Sequence, residues 1–169
     1  MIRTVPAGGG ARAVLRRLCV LWAVAGGSVL LALVLVNVAS VVGTAFLGMP
    51  VPGDIELTEM GVAVAAFAFL PYCQLAGAHV IADIFTARLD GRTRARFEVL
   101  GDLVALVFAL VLLWRMSLGM LDQRAYGYTT AILQIPVWWA FVPILVSLVL
   151  LALAAGERLA DHLRGEGAR

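Results

Sequence analysis

The spacing of the charged residues constrains this chain more than any other feature. No charged residue lies between Arg17 and Asp54, between Glu59 and Asp83, or between Arg124 and Glu157. A helix needs about 20 largely apolar residues to cross about 30 Å of hydrocarbon. Each run holds one such helix, and none holds two with a turn between them. A fourth apolar stretch, from Glu98 to Asp122, is interrupted by Asp102 and Arg115 toward its opposite ends. The runs predict an all-α integral membrane four-helix bundle, a single membrane domain with spans at about 18–43, 57–77, 99–121 and 137–157.

Composition excludes the main alternatives. Hydrophobic residues make up 62% of the 169 and charged residues 14%, where a soluble domain carries about 25% charged. A water-soluble enzyme lacks the surface it would need, and a disordered chain would be polar. A membrane β-barrel would alternate apolar and polar residues, whereas segments such as VLLALVLVNVASVV are continuously apolar. Arg12, Arg16 and Arg17 resemble the basic start of a signal peptide, but a signal core runs about 7–15 residues. The stretch from Leu18 to Leu47 is about twice that and reads as a retained span.

All 13 basic residues are Arg, and their distribution predicts orientation, because inner loops of membrane proteins are Lys/Arg-rich. Arg3, Arg12, Arg16 and Arg17 precede the first span. Arg88, Arg92, Arg94 and Arg96 lie between the second and third, and Arg158, Arg164 and Arg169 follow the fourth. Both termini and the 78–97 loop are therefore expected in the cytoplasm, with periplasmic loops at 44–56 and 122–136. Trp114, Tyr126, Tyr128, Trp138 and Trp139 then fall near the outer interface, where amphipathic rings settle. The Gly48–Gly53 connection contains Pro50 and Pro52, which is turn chemistry. Pro136 suits the first turn of the last helix, and Pro71 and Pro143 fall inside helices. In the 78–97 segment Val80, Ile81, Ile84, Phe85 and Leu89 recur near helical spacing. Either its first half is an amphipathic helix on the cytoplasmic membrane surface, or the second helix runs on into the cytoplasm.

Little in the chain points to catalysis or to cofactors. The net charge of +2 does not suggest nucleic acid, and Cys19 and Cys73 each sit in an apolar run, as small hydrophobes do. The two histidines, His79 and His162, both lie at the predicted cytoplasmic rim. His79 and Asp83 are spaced i, i+4, but two ligands do not make a metal site, and an interfacial hydrogen-bonded pair is the better reading. No cofactor or metal is expected. Asn37 is the main polar side chain at depth, and in lipid such a group more often joins helices than binds substrate. Gly26, Gly27 and Ser28 allow close helix approach. Arg115, about two turns from the outer end of the third helix, must snorkel or pair. Glu59, one turn inside the second helix, is its candidate partner, with a contact to another subunit as the alternative. Asp54 and Glu56 precede it and suit a helix N-terminus.

Several segments together resemble the small membrane subunit of TRAP transporters, the tripartite ATP-independent periplasmic family. They are Glu56-Leu57 at the start of the second span and His79-Val80-Ile81-Ala82-Asp83 after it, where the family more commonly has Val before the Asp. They continue with the basic Arg88–Arg96 loop, the run Thr130-Ala131-Ile132-Leu133-Gln134-Ile135-Pro136-Val137-Trp138, and Pro143. The similarity covers nearly the whole chain. The resemblance implies a multi-pass subunit of the bacterial inner membrane, surrounded by membrane lipids. It implies partnership with a large membrane subunit that holds the substrate and sodium sites, and with a periplasmic protein that delivers an organic acid and that Asp54 and Glu56, left unpaired, are expected to help dock. A self-sufficient homodimeric transporter would need an embedded carboxylate, for which only Glu59 stands on the second helix. A structural tetraspan without transport is the other alternative.

Overall fold

The computed structural model describes residues 10–76 and 91–163. They form four helices: α1 (Gly10–Leu47), α2 (Asp54–Ala76), α3 (Gly91–Ala125) and α4 (Trp138–Leu163). Each contains a segment long and apolar enough to cross a membrane: Arg12–Leu47, Asp54–Ala76, Val99–Ala125 and Trp138–His162. Among the described residues there is no strand, only an isolated bridge between Thr129 and Pro136. His79, Asp83 and the expected surface helix of residues 78–89 lie outside the described residues.

Three helices overrun the apolar stretches that announced them. α1 starts at Gly10 and takes Arg12, Arg16 and Arg17 into its first turns, while α3 starts at Gly91, inside the expected 78–97 loop. α4 runs to Leu163, past Glu157 and Arg158. Hydropathy marks where hydrocarbon begins, whereas backbone hydrogen bonding continues as long as the local sequence tolerates it. Arg, Glu and Leu are good helix formers on either side of that boundary. At 38 residues α1 is about 55 Å long at helical rise, well beyond about 30 Å of hydrocarbon. It must tilt or project from the membrane. Gly48 ends it: in the left-handed region at φ 68°, it donates its N–H to the Thr44 carbonyl at 3.1 Å, a glycine cap. α4 begins at Trp138, so Pro136 stands two residues ahead of it, and its carbonyl accepts the Trp139 N–H at 3.1 Å.

The packing order is α1–α2–α4–α3, with α1 touching α4 lightly. α1 and α2 approach closely at Gly26, where an added Cβ would lie 2.7 Å from the Ala68 Cβ. Small residues that let backbones approach are the usual device for helix association in lipid. Between α3 and α4 the buried core is Ala109 against Ile144, Leu148 and Leu151, with Val64 and Phe67 of α2 packed on it. The spacing of 144, 148 and 151 places those three on one face of α4. Trp22 of α1 donates its indole N–H to Ser147 Oγ of α4 at 2.8 Å, and Ser147 in turn donates to the Pro143 carbonyl at 2.8 Å. Most other large apolar side chains face outward, among them Leu21, Leu35 and Val41 of α1 and Val104, Phe108, Val111 and Trp114 of α3. A chain whose solvent is lipid has no drive to hide them.

Candidate functional site

Polar side chains concentrate at the two ends of the helix array. One end carries the α1–α2 turn and the loop between α3 and α4, here the loop end. The other, the arginine end, carries the start of α1 and the finish of α4.

At the loop end the polar side chains of α1 lock the start of α2. Asn37 Nδ2 donates to Thr58 Oγ1 at 2.8 Å and to the Leu33 carbonyl at 2.8 Å. Ser40, buried to 4% exposure, donates to Asp54 Oδ2 and accepts the Val51 N–H at 3.2 Å. Asp54 Oδ1 accepts the Ile55 N–H at 2.8 Å. Residues 37, 40 and 44 follow helical spacing, so a polar strip runs down the side of α1 that meets α2. Thr44 ends the strip by bonding back to the Ser40 carbonyl.

Glu56 reaches from the first turn of α2 to the α3–α4 loop. Its Oε1 accepts the Ile132 N–H at 2.6 Å and its Oε2 accepts the Leu133 N–H at 3.0 Å. Consecutive backbone N–H groups in a turn make a concave anion site, and a two-oxygen carboxylate matches it with charge-assisted bonds. The loop is itself well bonded. Thr130 N–H donates to the Ile135 carbonyl at 2.9 Å and Val137 N–H to the Tyr128 carbonyl at 3.0 Å. Ile135 N–H donates to Thr130 Oγ1 at 3.1 Å. Gln134 sits at φ 54°, its side-chain amide bonded to Thr129 Oγ1 and the Ala131 carbonyl. Leu133 lies over Gly53, whose missing Cβ would stand 2.4 Å from Leu133 Cγ. Arg124 stacks on the Trp138 ring at 5.5 Å. The loop leaves Tyr126, Tyr128 and Ile132 exposed, as is Trp139 in the first turn of α4.

Asp54 and Glu56, expected to be free for docking, are therefore engaged within the chain. The helix dipole and nearby donors make them structural acids here. Glu59 and Arg115 are both exposed, and no ion pair joins them among the described residues. Each points out of the array toward whatever surrounds it.

The arginine end holds a cluster that sequence reasoning missed. Asp102 of α3 is 2% exposed. Its Oδ1 accepts from Gln74 Nε2 of α2 at 2.8 Å and lies 3.4 Å from Arg158 Nε of α4. Its Oδ2 lies 3.3 Å from His162 Nε2. Arg158 also donates through Nη1 to the Gln74 backbone carbonyl at 2.7 Å. That carbonyl belongs to the last turn of α2, where carbonyls lack helical partners and cations are favoured. Three helices thus converge on one carboxylate. Arg12 adds α1, pairing with Glu157 at 3.4 Å and Asp161 at 2.5 Å, both on α4. The available signals were Gln74 in an otherwise apolar part of α2 and the i, i+4 pairs Glu157/Asp161 and Arg158/His162 on α4. Among the described residues no group of three or more His, Cys, Asp or Glu could hold a metal ion. Cys19 and Cys73 are free thiols, the first buried and the second half-buried.

Both ends tie helices together, and the two motif segments around Glu56 and Thr130–Trp138 form one contact. The family model for tripartite ATP-independent periplasmic transporters, DctQ component, matches residues 33–165. The chain belongs to the DctQ family. It is therefore a multi-pass membrane component of a TRAP transporter, a small subunit of a tripartite system, and its family is not an enzyme class. The DctQ match spans the Asn37–Thr58 link, the Glu56 contact and the Asp102 cluster. The first part of α1, with Arg12, Trp22 and Gly26, precedes it. Comparison with curated proteins and with solved structures gives no match.

Proposed function

We propose that this DctQ component supports a large membrane subunit in sodium-gradient-driven uptake of an organic acid, delivered by a periplasmic binding protein. One observation carries the reading. Among the described residues the buried polar side chains Ser40, Gln74, Asp102 and Ser147 are all engaged in bonds between or within helices of this chain. Buried polarity here fastens the array together, and the substrate and sodium sites belong to the partner. The outward apolar faces of α1 and α3 offer surface to that partner and to lipid. Exposed Arg115 is its polar handle, since an Arg at depth costs about 2.5–3.5 kcal/mol on insertion scales until it is paired. The Arg distribution supports an inner-membrane orientation with both termini cytoplasmic. The loop end then faces the periplasm, and Tyr126, Tyr128 and Ile132 meet the binding protein.

The test is reconstitution into liposomes with a sodium gradient. Uptake is expected only when this chain, the large subunit and the binding protein are present together. Uptake by this chain alone would establish instead the self-sufficient transporter.

A further inference from the structure

Along one flank of the α1–α2 pair, small residues leave an open apolar groove of about 500 Å³. Its floor is Ala23 and Gly27, one wall is Val20, Val24 and Leu31 of α1, and the other is Phe69 and Tyr72 of α2. Gly27 keeps it open: an added Cβ would meet only Phe69 Cζ, at 3.9 Å. The neighbouring Gly26 is closed against Ala68, so the two glycines do different jobs. Ser28 is the other polar residue on the lining, and its hydroxyl is satisfied by the Val24 carbonyl at 3.0 Å.

We propose that this groove holds one acyl chain of an anionic phospholipid whose phosphate sits on Arg16 and Arg17. Length is the first argument. From Val20 to Leu31 the groove runs about 16 Å at helical rise, half of a hydrocarbon core of about 30 Å. That is the depth of one leaflet. Width is the second: a helix is about 10–12 Å across with its side chains, whereas the floor here is a single file of two small residues.

Charge is the third argument. Arg16 and Arg17 precede Val20 by four and three residues, so they continue the groove face one turn beyond its end. Both are exposed and neither forms an ion pair among the described residues. Arg12, on the same helix, is paired with Glu157 and Asp161. Two adjacent guanidiniums at the end of an apolar slot complement a lipid phosphate with an acyl chain attached. Tyr72, 46% exposed on the opposite wall, is the amphipathic ring expected near a headgroup. The proposal stands apart from the transport reading, since it uses only this chain and its bilayer.

Native mass spectrometry of the full chain, released from detergent with phosphatidylglycerol or phosphatidylethanolamine of equal chain length, tests it. One phosphatidylglycerol per chain should be retained, with about a tenfold preference over phosphatidylethanolamine. The double variant Arg16→Gln/Arg17→Gln, at two exposed positions, should abolish that preference. Gly27→Leu should reduce retention of both lipids. A photo-crosslinker at position 27 in native membranes should label phospholipid. Equal retention of the two lipids by the wild-type chain would overturn the proposal. So would crosslinking of position 27 to a protein, which would make the groove a subunit contact.

Discussion

The Glu56 carboxylate holds the backbone N–H of Leu133 at 3.0 Å, 77 residues further along the chain. With the Ile132 N–H on its other oxygen, it is a side-chain clasp from the first turn of α2 onto the α3–α4 loop. Glu56→Ala should therefore release the loop while leaving the four helices intact. Amide hydrogen exchange at Ile132 and Leu133 should accelerate strongly in Glu56→Ala and less in Glu56→Gln, whose carbonyl oxygen still accepts one bond. Unchanged protection in the alanine variant would show that the loop's own bonds hold it.

Gly53 makes the same contact possible from below. At φ 77° it occupies the left-handed region, where a non-glycine residue costs about 1–3 kcal/mol. Its absent Cβ is the space Leu133 fills. Gly53→Ala should lower the thermal unfolding midpoint in detergent. Adding Leu133→Ala should recover only part of the loss, because it relieves the clash and leaves the backbone strain. Full recovery would assign the whole effect to packing.

The helices were legible because lipid removes ambiguity: an uncharged run between Arg17 and Asp54 has one structural outcome. Their ends were not, since Arg12 and Arg158 stand in helix beyond the apolar stretch. The contact between Glu56 and the Thr130–Trp138 run was invisible for another reason. Both segments stood out as motifs, yet nothing in spacing tells a carboxylate which distant N–H groups it will meet. Asp102 registered only as an interruption in an apolar run, and His162 only as a rim histidine. Their partnership depends on how α2, α3 and α4 pack, which periodicity does not encode. Asn37 was readable because a lone amide at depth needs a donor or acceptor on a neighbouring helix, and Thr58 supplies it.

Orientation makes a separate prediction. Eleven of the thirteen Arg lie in the three segments assigned to the cytoplasm, so reporter fusions near residues 50 and 128 should read periplasmic and one near 92 cytoplasmic. A cytoplasmic signal at 128 would overturn the four-span topology.

Arg115 should matter to assembly more than to the fold. It is exposed on α3, well inside the span Val99–Ala125, and forms no ion pair among the described residues. Arg115→Ala should lower the amount of large subunit that copurifies with this chain, while the isolated chain melts at the wild-type temperature. Equal copurification would assign Arg115 to lipid headgroups reached by snorkelling.

The Asp102 cluster should behave in the opposite way, governing the fold before any partner is involved. Its carboxylate is buried between three helices with Arg158 and His162 beside it. Removing one partner of a buried ion pair leaves an uncompensated charge and typically costs about 3–5 kcal/mol. Arg158→Met should therefore be strongly destabilising, and doubly so in its mechanism, because the Gln74 carbonyl at the end of α2 loses its donor as well. Replacing both charges with apolar groups of similar volume is often neutral by comparison. Asp102→Leu combined with Arg158→Met should thus be less harmful than Arg158→Met alone, a non-additivity that thermal unfolding of the four members of the cycle would measure. Additive losses would mean that Asp102 is held by Gln74 and His162, with the Arg158 guanidinium acting only as the cap of α2.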